Sequence, residues 1–307
     1  MRRGLGCCVV LAGWLAAACG GHSTASTGGS AAGAVVSVVT TTTQITDFTM
    51  NVGGAHVKVY AVLKANIDPH DYEPTPADLD AIAKADLIVK NGVGLEKWFD
   101  DTIKSADPKG TIVDASRGVK IRPGAGGSET GGDPHIWHNP QNAKIMVTNI
   151  AKALEAVDPQ DTPSFEKNRT DYSTQLDRLD SETRAQLATL SNKKLVTNHD
   201  AFGYYIDHYG LDFVGSVIPS FDTQTELSPQ DVGDLVAKIK AQGVRAVFSE
   251  SSLPAKTAAA IAKEAGVKVI AGEDGLYGDT LGPPGSDGDT YLKMERHNTK
   301  EIVDNLR

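Results

Sequence analysis

Pro76-Ala77-Asp78-Leu79-Asp80-Ala81-Ile82-Ala83-Lys84-Ala85-Asp86-Leu87-Ile88-Val89 joins two hydrophobic patterns in one short stretch. Leu79, Ile82 and Ala83 recur at helical spacing. Leu87-Ile88-Val89 is apolar on consecutive residues, as in a strand covered on both faces. The same alternation extends in both directions. Upstream, residues 35–40 form an apolar run, 45–52 a helical pattern and 57–62 a second strand. Downstream, 95–103 is helical and 111–113 a short strand. In the second half, strands are expected at 194–197, 213–217, 245–248 and 267–270, with helices over 202–209, 229–241, 255–265 and 290–306. Hydrophobic strands separated by helices predict an α/β fold of mostly parallel sheets. No repeat of roughly 20–50 residues is visible, which excludes solenoids and propellers.

Two helices lie between the halves. Asn139 is a good N-cap and Pro140 suits the first helical position, so an amphipathic helix is expected to reach Val157. Thr162 and Pro163 open a longer one, with Phe165, Tyr172, Leu176, Leu179, Leu187 and Leu190 along a single stripe. At 1.5 Å per residue it would reach about 42 Å, and it reads as a stiff strut between two domains.

The start of the chain indicates a compartment. Arg2 and Arg3 precede a short apolar run too brief to span a bilayer, so residues 1–18 read as a secretory signal peptide. Leu15-Ala16-Ala17-Ala18-Cys19 resembles a bacterial lipobox, although Ala16 stands where a large aliphatic residue is usual. Cleavage before Cys19 would put a lipid on its sulfur and anchor the protein outside the cytoplasm, to the cell membrane. Residues 19–34, rich in Gly, Ser, Thr and Ala, read as a flexible tether. The rest divides into an N-terminal α/β domain (35–160), a linker helix (161–191) and a C-terminal α/β domain (192–307). Cys7 and Cys8 would leave with the signal, so no thiol remains for a disulfide, a metal or a nucleophile. Losing residues 1–18 removes two arginines and no acids, which takes the net charge from −9 to −11. That acidity argues against nucleic acid as a partner.

Four stretches carry metal-ligating chemistry: Asp68-Pro69-His70, Asp133-Pro134-His135, Asn198-His199-Asp200-Ala201-Phe202 and Tyr277-Gly278-Asp279-Thr280-Leu281-Gly282. His70, His135, His199 and Asp279 would together offer three imidazoles and a carboxylate, a complete tetrahedral shell for a divalent ion such as Zn2+. Each is expected in an irregular segment near a strand end, the edge at which open parallel sheets gather ligands. Glu250, at the end of another strand, could orient a ligand histidine from behind. His138, three residues after His135, is a candidate auxiliary ligand. His22, His56, His208 and His297 read as surface residues.

Asn66-Ile67-Asp68-Pro69-His70-Asp71-Tyr72-Glu73-Pro74-Thr75-Pro76 resembles the metal-binding solute receptors of bacterial zinc and manganese ABC importers. So do Ala85 to Gly92 with Gly94-Leu95-Glu96, Asp133-Pro134-His135-Ile136-Trp137 with Asn139-Pro140, His199-Asp200-Ala201-Phe202-Gly203-Tyr204 and Gly278-Asp279-Thr280-Leu281-Gly282, in order over residues 35–307. The resemblance implies two Rossmann-like domains joined by one long rigid helix, with the metal in the interdomain cleft. It implies His70 and His135 as first-domain ligands and His199 and Asp279 as second-domain ligands. It also implies an ABC permease with its ATPase as partners. In that family the third ligand is usually His in zinc receptors and Glu in manganese receptors. This chain has His199, so Zn2+ is expected, with Mn2+ as the alternative cargo. The loop over residues 118–132 lacks the histidines that many zinc receptors carry there, and His138 stands where the family usually has an apolar residue.

The resulting expectation is a monomeric, lipid-anchored, non-enzymatic receptor that captures Zn2+ for import. Two other classes compete with it. One is a metal-stapled adhesin. The other is a zinc hydrolase with Glu250 as base, although the chain has no His-Glu-x-x-His helix and no nucleophile elbow.

Overall fold

The structure is a computed structural model that describes residues 35–124 and 131–307. Cys19, His22 and the expected signal and tether lie outside the described residues. The first half runs β1 (Val36–Thr40), α1 (Thr43–Gly53), β2 (Val57–Ala61), α2 (Pro76–Lys84), β3 (Leu87–Lys90), α3 (Phe99–Ala106) and β4 (Thr111–Asp114). Two helices follow, α4 (Pro140–Val157) and α5 (Thr162–Leu187). The second half runs β5 (Lys194–His199), α6 (Gly203–Tyr209), β6 (Asp212–Ile218), α7 (Pro229–Gln242), β7 (Ala246–Phe248), α8 (Lys256–Ala265), β8 (Lys268–Ile270) and α9 (Tyr291–Leu306).

Each half builds one parallel four-stranded sheet, in the orders β2-β1-β3-β4 and β6-β5-β7-β8. The chain leaves the first strand of each sheet in one direction and returns on its other side. This creates a topological switch point between β1 and β3 and another between β5 and β7. The inner strands β1, β3, β5 and β7 are buried on both faces. Val36, Val38, Leu87 and Val89 join one core with α1 and α4, while Val39 and Ile88 join another under α2 and α3. Leu195, Ala246 and Phe248 face one core of the second half, and Val196 and Val247 the other.

Local chemistry fixes the helix starts. Thr75 with Asp78, and Ser228 with Asp231, form reciprocal capping boxes ahead of Pro76 and Pro229, while Asn139 caps α4 before Pro140. α3 begins at Phe99 rather than at the expected residue 95. The buried carboxylate of Glu96 instead accepts the amides of Asn91 and Gly92 and the hydroxyl of Thr41, which pulls that turn out of the helix.

α5, 26 residues long, touches both halves. Phe165, Tyr172, Leu176 and Leu179 pack into the first core, and Leu187 joins the second. α9 crosses in the same way, with Tyr291 and Met294 in the first core and Ile302, Val303 and Leu306 in the second. The two halves are therefore tied by two helices that pack against each other. Tyr277 and Leu281, late in the chain, also belong to the first core.

Candidate metal site

The site lies where the two switch points face each other. His199 is the last residue of β5, paired with Ile218 of β6, so the strand extends two residues beyond its expected end. His70 and His135 sit on irregular segments of the first half, and both use the same local device. Asp68 Oδ1 accepts the His70 amide at 2.9 Å, and Asp133 Oδ1 accepts the His135 amide at 3.0 Å. The proline between them sets an extended-to-turn path that aspartate closes on itself. Asn91, at the end of β3, donates to the Pro134 carbonyl at 3.0 Å and pins the second segment to the sheet edge.

The four ligand-type side chains converge, and all four are buried. His135 Nε2 lies 3.3 Å from both His70 Nε2 and His199 Nε2. Asp279 brings Oδ1 to 3.3 Å from His135 Nε2, and Oδ2 to 3.4 Å from His199 Nε2 and 3.7 Å from His70 Nε2. Neither carboxylate oxygen has a hydrogen-bonding partner at normal geometry. Four donors held about 2.0–2.1 Å from a central ion at tetrahedral angles stand about 3.3–3.4 Å apart. The observed spacings are close to that polyhedron, so the donor set fits a divalent ion.

The far sides of two rings are held by carboxylates. His135 Nδ1 meets Asp133 Oδ1 at 2.9 Å, and His199 Nδ1 meets Glu250 Oε1 at 2.7 Å. Glu250 follows β7, so it stands beside His199 across the second switch point. Its place behind the ring, away from Asp279, suits orientation of the imidazole and not activation of a water on the ion. Arg122 locks Asp133 in turn: Nη1 donates to Asp133 Oδ2 at 2.6 Å and Nε to Asp207 Oδ2 at 2.7 Å. The Tyr204 hydroxyl accepts the Arg122 amide and donates to the Asp133 carbonyl. Gly203 makes room for this clamp, since a Cβ there would fall 1.6 Å from Arg122 Nη1.

Electrostatics separate the three imidazoles. Burial drives His70 down to about 3, so it stays neutral. Burial also opposes charge on His135, but the Asp133 and Asp279 carboxylates outweigh it and hold this ring up at about 9. His199 is raised well above the ordinary value by Asp279 and Glu250 against the same burial. Asp279 is pulled well below the carboxylate range: burial opposes its charge, and the adjoining rings of His199 and His135 win. Without an ion, His135 and His199 carry the protons that face the buried carboxylate.

The Asp279 loop is strapped to the first half. Gln44 of α1 donates to the Asp279 carbonyl at 2.9 Å, and the Leu281 amide donates to Thr43 Oγ1 at 2.8 Å. Trp137 Nε1 donates to the Gly278 carbonyl at 3.1 Å. By these contacts Asp279 shares the framework of His70 and His135, although it follows β8 in sequence.

The other histidines differ from expectation in part. His138 stands outside the four-residue cluster, with Nδ1 on Glu295 and Nε2 on the Gly278 carbonyl. His297 is buried and not a surface residue, with Nε2 on the Gly275 carbonyl at 2.9 Å. His56 and His208 are half-buried and pair with Asp161 and Asp180. Asp133, Arg122 and Glu295 were not singled out from sequence. The repeated Asp-Pro-His was the available signal for Asp133.

Residues 38–305 match the family model described as the periplasmic component A of a zinc-uptake complex. The chain belongs to this family. It is a solute-binding receptor of metal ABC importers and not an enzyme. It is 31% identical over 271 residues to the manganese ABC transporter substrate-binding lipoprotein PsaA of Streptococcus mitis, covering 85% of this chain and 86% of that one. It is 32% identical, with the same coverage, to the iron ABC transporter substrate-binding lipoprotein MtsA of Streptococcus pyogenes serotype M1. Among solved structures, the periplasmic zinc-binding protein TroA of Treponema pallidum superposes with a TM-score of 0.82 at 29% identity, covering 88% of this receptor and 99% of that chain.

Proposed function

We propose that this receptor captures Zn2+ outside the cytoplasm and delivers it to an ABC permease driven by its ATPase, with His70, His135, His199 and Asp279 as the four ligands. The observation that carries the reading is the donor set itself: three imidazole nitrogens and one carboxylate at near-tetrahedral spacing, in a buried pocket. Imidazole suits zinc, whereas manganese prefers oxygen-rich shells. Lipid attachment at Cys19, with residues 19–34 as a tether, keeps the receptor near its permease. The proposed domains are 35–160 and 192–307, joined by the helix within 161–191. Among the described residues, no helix is long and apolar enough to cross a membrane.

Manganese is the second reading. Both Asp279 oxygens face the imidazoles and neither has another partner, so the carboxylate can chelate through both and raise the coordination number to five. A relative named for manganese supports it. The deciding experiment refolds chelator-treated protein in equal Zn2+ and Mn2+ and measures its metal content beside a His199→Glu variant. Zinc in the wild type and gained manganese in the variant are expected. Manganese in the wild type would replace zinc as the cargo.

A further inference from the structure

His138 is buried at a junction of four segments. Its ring stacks on Phe202, with centroids 4.4 Å apart and planes 26° from parallel. Nδ1 lies 2.9 Å from Glu295 Oε1 of α9, and Nε2 lies 3.1 Å from the carbonyl oxygen of Gly278, the residue before Asp279. A carbonyl can only accept, so Nε2 must carry a proton. The Nδ1–Glu295 contact then holds one further proton, placed either on the ring or on the carboxyl. Either placement leaves both hydrogen bonds intact and directs the ring at Gly278. Burial raises the Glu295 carboxyl, which eases sharing of that proton.

The Gly278 carbonyl receives a second donor from Trp137 Nε1 at 3.1 Å. The Tyr277 backbone just before it is bracketed by Asn298, which accepts its amide and donates to its carbonyl, each at 2.8 Å. Glu295 and Asn298 lie one turn apart on α9. That helix therefore reaches the two residues before Asp279, Tyr277 directly through Asn298 and Gly278 through His138 from Glu295.

We propose that His138 and Glu295 are positioning residues for Asp279, setting where its carboxylate stands by fixing the Gly278 carbonyl. The inference rests on the metal-receptor reading above and adds a buried pair that touches no ion. Its consequence is that the carboxylate is aimed from α9, far along the chain from the histidines it joins.

The test uses His138→Phe, which keeps the stack on Phe202 and loses both hydrogen bonds, with Glu295→Leu and Glu295→Gln. Glutamine can donate its amide to Nδ1 of a neutral ring whose Nε2–H still holds Gly278, so E295Q should recover most of what E295L loses. Zn2+ affinity is measured by competition with a chromophoric chelator. Co2+ absorption reports ligand geometry, and melting of the metal-free protein reports fold. H138F and E295L are expected to weaken Zn2+ by about tenfold and to shift the Co2+ spectrum. Unchanged affinity and spectrum in both, or E295Q as impaired as E295L, overturns the inference. Wild-type protein that holds neither metal overturns the receptor reading itself. If H138F does not fold, the E295L and E295Q pair decides alone.

Discussion

Glu250 Oε1 stands 2.7 Å from His199 Nδ1, while Nε2 of the same ring faces Asp279 at 3.4 Å. One imidazole is thus gripped from behind by one carboxylate and presented to another. Removing the grip leaves His199 in place but free to choose its tautomer. Glu250→Ala should weaken Zn2+ by about 10- to 100-fold, the usual range for a partner behind a ligand histidine. Chelator competition measures it, and an affinity within twofold of wild type would show that β5 alone orients the ring.

Gly278 packs against the other oxygen of that carboxylate. A Cβ there would fall 1.9 Å from Glu250 Oε2, so Gly278→Ala must displace the loop or the carboxylate. A loss of about tenfold in metal affinity is expected although no ligand is touched. Pairing it with Glu250→Ala checks the route, since the two effects should add to less than their sum.

Replacing any one of His70, His135, His199 or Asp279 with Ala should cost more than the Gly278 change. If four ligands share roughly 10–16 kcal/mol equally, losing one costs ~3 kcal/mol, or about a hundredfold in affinity. Titration of each variant against a competing chelator tests the four in turn, and a residue whose variant binds as before leaves the site.

Affinity should climb with pH. Free histidine would place the decline below about pH 6.5. Here His135 titrates at about 9, held up by Asp133 and Asp279 against burial, and His199 is also raised. The ion must displace both protons, so binding strengthens from pH 6 toward about 9 and then levels. The metal-free protein follows the opposite sign. A raised folded-state pKa contributes stability in full below the unfolded value near 6.5, and that contribution is lost as pH rises through about 9. Calorimetry in two buffers of different ionisation enthalpy should find about two protons released per Zn2+ at pH 7.5. None released would contradict charged rings at His135 and His199.

Much of the fold could be read from the sequence because its elements carry local signals. α4 starts and stops as expected because Asn139 and Pro140 act through neighbouring backbone alone. α3 was misplaced because Glu96 is spent on Thr41, Asn91 and Gly92, partners that no window around it contains. His199 was expected past its strand because the pairing with Ile218 is a tertiary fact. The residues that converge at the site were legible from two Asp-Pro-His stretches and the segments around His199 and Asp279. Their support was less so. Glu295 sits in Lys293-Met294-Glu295-Arg296, which reads as a solvated helix face, and only the fold turns it onto His138. Arg122 is one cation in a Gly-rich loop, and only the fold closes Asp133 and Asp207 on it.

The protonated pair of imidazoles makes loading an exchange of like for like. Two protons leave and one dication enters, so the pocket carries the same formal charge empty and full. Burying a divalent ion this way adds no net charge to a medium that solvates charge poorly. The empty and loaded receptors are then electrically alike, and what differs between them is how tightly four side chains are held to one point. A permease can then tell them apart by that stiffness and the shape it enforces.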